Sequence, residues 1–251
     1  MMFGYSFMSR DDYGNVQWGF TFEHYTRFID PLYLKIIWRS LWNSILCTGV
    51  CLLLGYPVAY TISRAGRWKN LLMFLVVIPF WTSFLVRTFA MIFMMRDSGL
   101  INKVLAMVGM EPWKMLYTPS AVIAGLVYGF LPFMILPIYT SLEKIDMSLM
   151  EAGEVLGAKP LARFFKIILP LSLPGVIAGS LLVFIPALGS YLTSDLLGGA
   201  KEMMIGNLVQ NQFTAARNKP FGSAASFIMM AVVLVGVLYY LRARNEEEKQ
   251  S

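Results

Sequence analysis

The sequence predicts an all-α, polytopic membrane protein folded as a single transmembrane domain over residues 1–251, and composition, block length and charge placement predict it together. The chain is 57% hydrophobic, with a mean hydropathy of +0.60 and only 14% charged residues, where soluble domains carry about 25% charge. The apolar residues fall in long blocks, and a helical span needs roughly 20 consecutive, mostly apolar residues. Five stretches qualify: Trp38 to Ile62, Leu71 to Met94, Ala121 to Leu142, Leu171 to Leu192 and Phe221 to Leu241. The start, Met1 to Phe7, is too short for a signal peptide and runs into Arg10, Asp11 and Asp12.

Several chemistries are excluded at this stage. His24 is the only histidine, which argues against a His-based metal site or a Ser-His-Asp triad. No glycine is followed by lysine, so the chain has no P-loop for ATP. Cys47 and Cys51 sit one helical turn apart, a spacing that suits packing residues better than a disulfide. The net charge of +6 reads as cytoplasmic Lys and Arg rather than a nucleic-acid partner. The basic residues of 63–70, 143–170 and the tail after Leu241 are packed into the shorter loops, which places these segments in the cytoplasm and the N-terminus outside. Residues 8–36 are aromatic-rich, as interfacial segments are.

Pro57, Pro79, Pro132, Pro137 and Pro186 fall within the spans, and Gly125-x-x-x-Gly129 and Gly175-x-x-x-Gly179 add small faces. Kinked helices in close contact explain these residues; broken helices lining a polar path are the functional alternative.

The loop at 143–170 carries most information. Ser148 and Glu151 have capping-box spacing, so a helix is expected from Leu149, with Glu151 and Glu154 near its positive end. Gly157 suits a left-handed stop, and Pro160 the first turn of a second short helix bearing Arg163 and Lys166, before Pro170 opens the next span. Ala152 and Gly153 leave a small face that another protein could approach.

The spacing Glu151-Ala152-Gly153, three residues, Gly157, nine residues, Ile167, one residue, Leu169-Pro170 resembles the EAA loop of ABC importer permeases, departing only at Gly153, where that family has Ala. The resemblance implies a polytopic type I ABC importer permease fold and assigns Glu151, Ala152, Gly153 and Gly157 to contact with an ATPase subunit. Asp30-Pro31-Leu32-Tyr33, Gly55-Tyr56-Pro57, Pro79-Phe80-Trp81-Thr82-Ser83, Leu131-Pro132-Phe133-Met134 and Ser194-Asp195-Leu196-Leu197-Gly198-Gly199-Ala200 resemble the B-type spermidine/putrescine permeases. That resemblance implies a multi-pass protein of the bacterial inner membrane. It also implies pairing with a homologous C-type permease and work with two ATPase subunits and a periplasmic polyamine-binding protein. ATP and Mg then belong to the ATPase, and this chain holds no cofactor or metal and contacts membrane lipid rather than nucleic acid. Such permeases have six spans; Gly4-Tyr5-Ser6-Phe7 resembles the end of a first one, so five of six are expected here, with the start misplaced or the chain truncated.

A polyamine is a polycation and the protein is itself basic, so local acids and ring faces must recognise it. Asp195, with Tyr191 one helical turn before it, offers an acid and a ring on one face; capping a helix or pairing with Lys201 is the alternative for Asp195. Trp81, beside Pro79, is a further pathway residue. Arg87 has the wrong sign for this substrate and is expected to snorkel or to pair with an acid. A permease for another small cationic or polar solute fits the same loop. A stand-alone secondary carrier would need internal repeats and coupling acids, neither of which is clear, and a purely structural scaffold leaves the loop spacing unexplained.

Overall fold

The computed structural model describes residues 2–11, 16–146, 148–199 and 202–250. A short helix α1 (Met2–Tyr5) leads into a two-stranded antiparallel ribbon, β1 (Ser9–Arg10) with β2 (Val16–Gln17), and a turn of helix α2 (Glu23–Thr26). The long helix α3 (Pro31–Arg64) follows, then α4 (Lys69–Val77), α5 (Phe84–Met95), α6 (Leu100–Met107) and α7 (Pro119–Glu143). The loop holds α8 (Ser148–Val155) and α9 (Pro160–Arg163), and the chain ends in α10 (Leu169–Gly189), α11 (Leu192–Gly198), α12 (Ile205–Phe213) and α13 (Lys219–Gln250).

Four helical runs are long and apolar enough to cross a membrane: Pro31–Arg64, Pro119–Glu143, Pro160–Gly189 and Lys219–Leu238. The stretch expected as one span from Leu71 to Met94 is instead broken, with a bend of 91° between Gly66–Trp81 and Phe84–Met107. Pro79 sits in a 3₁₀ turn, Ile78–Trp81, after which Thr82 and Ser83 are extended. Proline removes an N–H and disfavours helix before it. The freed Pro79 carbonyl accepts from Thr82 Oγ1 at 2.8 Å, a local substitute for the lost helical bond. Pro57, Pro132, Pro137 and Pro186, by contrast, lie inside continuous helices. Of the prolines expected within the spans, therefore, Pro79 alone sits at a break.

The chain gathers into two compact units, Met1–Asn43 with Tyr117–Val122 and Leu188–Ser251, and Ser44–Leu116 with Ile123–Ala187. The first is built on an aromatic core. Phe28 stacks on Phe221 with ring centres 5.0 Å apart, Tyr33 meets the same ring edge-on, and Ile36, Leu208, Ala224 and Ala225 close around them. Gly222 lets α13 approach Gln212 and Phe213 of α12. His24 is buried, its Nε2 2.9 Å from the Met8 carbonyl, a structural role for the only histidine.

In the second unit, α7 is gripped by α3 and α10 through glycine. A Cβ at Gly55 would meet the Met134 side chain at 3.1 Å, one at Gly179 the Met134 sulfur at 2.9 Å, and one at Gly175 the Pro137 carbonyl oxygen at 2.5 Å. Tyr56 and Ser172 hydroxyls share a hydrogen bond of 2.8 Å, and Cys47 and Cys51 are fully buried free thiols. The close-packing reading of Gly175-x-x-x-Gly179 thus holds. Arg87 makes no ion pair with an acid among the described residues. Its guanidinium lies 4.8 Å from the Phe80 ring centre and 5.7 Å from that of Phe84, with Nε and Nη1 buried and without a hydrogen-bond partner.

Gly175→Ala should therefore cost about 1–3 kcal/mol, because the new methyl meets backbone that cannot turn away. Gly49→Ala, where a Cβ meets nothing within 4 Å, should instead gain about 0.5–1 kcal/mol of helix stability. Unfolding of the two variants in detergent micelles measures both.

Candidate functional site

The loop between α7 and α10 forms a helical hairpin whose shape follows from a few residues. Asp146 Oδ1 accepts from the Ser148 N–H at 2.9 Å, so α8 starts at Ser148, one residue earlier than the capping-box reading places it. That hydrogen bond holds the Asp146 carboxyl below its ordinary range. With the folded value lowered, the contribution of Asp146 to the start of α8 is present at neutral pH and is lost as pH falls through that lowered value. Gly157 takes φ +76, the left-handed stop expected of it, and Pro160 opens α9.

Beyond α9 the structure departs from the expectation of a second, separate helix. A π-helical turn at Phe164–Ile168 joins α9 directly to α10, giving an unbroken helical run from Pro160 to Gly189 with Pro170 inside it. The hairpin is clipped to the base of that run. Arg163 Nη1 donates to Glu154 Oε2 at 2.5 Å and reaches the Met150 carbonyl at 3.4 Å. Gly153 is buried, and a Cβ there would meet Ile167 Cδ1 at 3.1 Å and the Arg163 side chain at 3.4 Å. Its lack of a side chain therefore seats α8 on its own chain. The outward face of the hairpin carries Glu151, Ala152 and Gly157, together with two apolar residues that spacing alone does not single out: Val155, 88% exposed, and Leu156, 86% exposed. The signal for them was present as two adjacent aliphatics at the end of a polar helix, where solvent exposure is costly (about 25 cal/mol per Å² of apolar surface). Beside the hairpin's roots a cleft of about 370 Å³ opens, lined by Tyr60, Arg64, Lys69, Leu142, Glu143 and Ile168, with Lys69 Nζ 2.5 Å from Glu143 Oε1.

The second group of expected residues falls apart into two places. Tyr191 and Asp195 share the first turn of α11, where the Asp195 N–H donates to the Tyr191 carbonyl at 2.9 Å. Asn207, in the first turn of α12, is the residue missed: its Nδ2 donates to Asp195 Oδ1 at 2.6 Å and to the Tyr191 carbonyl at 3.0 Å, while its Oδ1 accepts from the Met204 N–H. One amide thus caps its own helix and orients the Asp195 carboxylate, which stays exposed. The distance of 12 positions between Asp195 and Asn207 carries no periodic signal. The alternative partner of Asp195, Lys201, lies outside the described residues. Trp81 belongs to the other unit, 79% exposed at the break of the bent span and edge-on to Phe74. Among the described residues no group of three or more His, Cys, Asp or Glu side chains comes together to hold a metal ion.

Removing the clip separates its two halves. Glu154→Ala, at a carboxylate 70% exposed, should change hairpin stability by less than about 1 kcal/mol. Arg163→Ala also strips packing from Gly153 and should expose the 155–158 elbow to limited proteolysis, which is the measurement that compares them.

Residues 52–245 match the family described as binding-protein-dependent transport system inner membrane component. The chain is 44% identical over 246 residues to the spermidine/putrescine transport system permease protein PotB of Escherichia coli K12, covering 97% of this chain and 90% of that one. It is also 44% identical to the protein of the same name from Haemophilus influenzae, over 96% and 85% of the two chains. The fold is shared with a chain of a bacterial ABC transporter involved in import of the acidic polysaccharide alginate, at a TM-score of 0.69 and 18% identity over 92% and 85% of the chains. An all-α polytopic permease fold, its glycine-packed helices and its loop between α7 and α10 therefore coincide with sequence identity along nearly the whole chain: the protein belongs to the inner membrane components of binding-protein-dependent transport systems.

Proposed function

We propose that the chain is a permease subunit of an ATP-driven importer for spermidine and putrescine. It takes substrate from a periplasmic binding protein and passes it to the cytoplasm by alternating access. The observation that carries this reading is the 44% identity to spermidine/putrescine permeases over 97% of the chain. ATP is bound with its Mg and hydrolysed on separate ATPase subunits, two per complex, and a homologous C-type permease completes the path.

The hairpin is the site that receives the force. Glu151, Ala152 and Gly157 present its polar and small surface, and Val155 and Leu156 supply the apolar anchors that insert into the ATPase; Gly153 keeps α8 tight on its base. Because α9 runs into α10 without a break, a push on α8 is delivered by the Glu154–Arg163 clip to a helix that runs to Gly189. Closure of the ATPase pair thereby tilts α10 and, through Gly175 and Gly179, the α7 segment it grips. On the pathway, Asp195 accepts a charge-assisted hydrogen bond from an ammonium group, and Tyr191 and Trp81 offer ring faces worth ~0.5–2 kcal/mol each to a cation.

Two experiments test the two halves. Val155→Asp combined with Leu156→Asp should remove the ATPase from the purified complex, since buried apolar anchors at interface centres contribute about 2 kcal/mol or more, roughly thirtyfold in affinity; an ATPase that still copurifies ends the docking assignment. Asp195→Asn should slow uptake of labelled polyamine while the complex assembles normally. Competition of that uptake by unlabelled spermidine, putrescine and other small solutes tests the substrate class directly, and failure of both polyamines to compete would overturn it.

A further inference from the structure

The segment leading out of the broken span is built inside out. Along α6, Leu100, Val104, Met107 and Val108 recur at helical spacing, and all four are exposed, Met107 to 84% and Val108 to 72%. On the opposite side of the helix, Asn102 is only 3% exposed. Its amide is taken up by the loop: Nδ2 donates to the Arg96 carbonyl at 3.3 Å and the Trp113 carbonyl at 3.1 Å, and Oδ1 accepts from the Trp113 N–H at 2.8 Å. A helix facing water turns its charged face outward and its apolar stripe inward. Here the polar side chain pins the helix to its own chain and the apolar stripe faces away.

The surroundings of the stripe identify what covers it. The apolar surface continues with Met110 and Trp113 after the helix, and with Leu85, Val86, Phe89 and Phe93 of α5 before it, so it joins the exposed face of a segment already apolar enough to lie in a membrane. Lys103, exposed, stands on the rim of the stripe, with Lys114 next to Trp113. An apolar face of Leu, Val and Met, a basic rim whose stems can reach up to headgroups, and an indole at the edge together fit the boundary between headgroups and acyl chains. The segment enters α7 at Pro119 and the other end of α7 carries the hairpin, so, resting on the proposed function that puts the hairpin on the cytoplasmic side, the boundary concerned is that of the outer leaflet.

We propose that α6 lies flat in the outer headgroup–acyl boundary, with lipid as the occupant of the Leu100–Val104–Met107–Val108 face, anchoring the far end of the bent span. The test uses the assembled permease in nanodiscs of phosphatidylethanolamine and phosphatidylglycerol. Single nitroxide labels are placed through Val104→Cys, Met107→Cys and, as the aqueous control, Glu111→Cys; Cys47 and Cys51 are fully buried and remain unlabelled. Collisions with oxygen, which concentrates among acyl chains, should exceed those with a water-soluble nickel chelate at Val104 and Met107, with the order reversed at Glu111. Nickel outrunning oxygen at the first two positions places the stripe in water, and low access to both reagents there places it under protein; either result overturns the proposal. Retained ATP-dependent transport in each labelled complex shows that it is folded.

Discussion

Three glycines decide how this protein packs. Gly55 of α3 and Gly175 and Gly179 of α10 let two helices close on one stretch of α7, from Met134 to Ser141, where a Cβ would press on Met134 at Gly55 and Gly179 and collide with the Pro137 carbonyl at Gly175. In a bilayer, apolar side chains gain nothing by leaving lipid for protein, so helix association depends on such close contact and on a few polar links. The Tyr56–Ser172 hydrogen bond is one of those links, and it joins the same two partners of α7, α3 and α10. The consequence reaches function: helices held by van der Waals contact at small residues can slide and tilt as bodies without breaking a polar network.

That constraint also explains the different fates of the prolines. Pro132 and Pro137 lie in α7, where neighbouring helices hold the backbone in place and the helix continues. Pro79 lies in a stretch with its large side chains exposed, Phe74, Leu75, Ile78 and Trp81 among them, and there the chain turns. Hydropathy reads both stretches as spans because it counts apolar residues and not their neighbours. The number and order of the apolar blocks was therefore legible from the residues, and the bend was not, since Pro57, Pro132, Pro137 and Pro186 lie in blocks that read the same way and stay helical.

The hairpin shows a similar division. Its turn chemistry was legible: Gly157 at φ +76 and Pro160 at the first helical position are local requirements of backbone geometry, and local requirements leave marks in sequence. The direction of its faces was not legible. Ala152 and Gly153 look equivalent as small neighbours, yet one is exposed and the other buried against Ile167, a residue 14 positions later. The pairing of Glu154 with Arg163 has the same cause, because it exists only once the elbow has folded the two helices together. Long-range partners such as Asn207 for Asp195 are invisible for this reason, while the acid itself stands out as a charge at the end of an apolar block.

The continuous helix from Pro160 to Gly189 changes what a loop of this kind can do. Had Pro170 separated a surface helix from the span, force applied at α8 would pass through a flexible joint and be absorbed there. Instead a π-helical turn at Phe164–Ile168 carries the helix across the junction, adding a residue to the ladder without opening it. The turn is braced: Phe164 lies edge-on to both Tyr56 and Tyr60 of α3, and Ile168 is buried. In the proposed coupling, displacement at the hairpin is carried into α10 and onto the glycine contacts at Met134 and Pro137, where α7 and α10 meet by close packing.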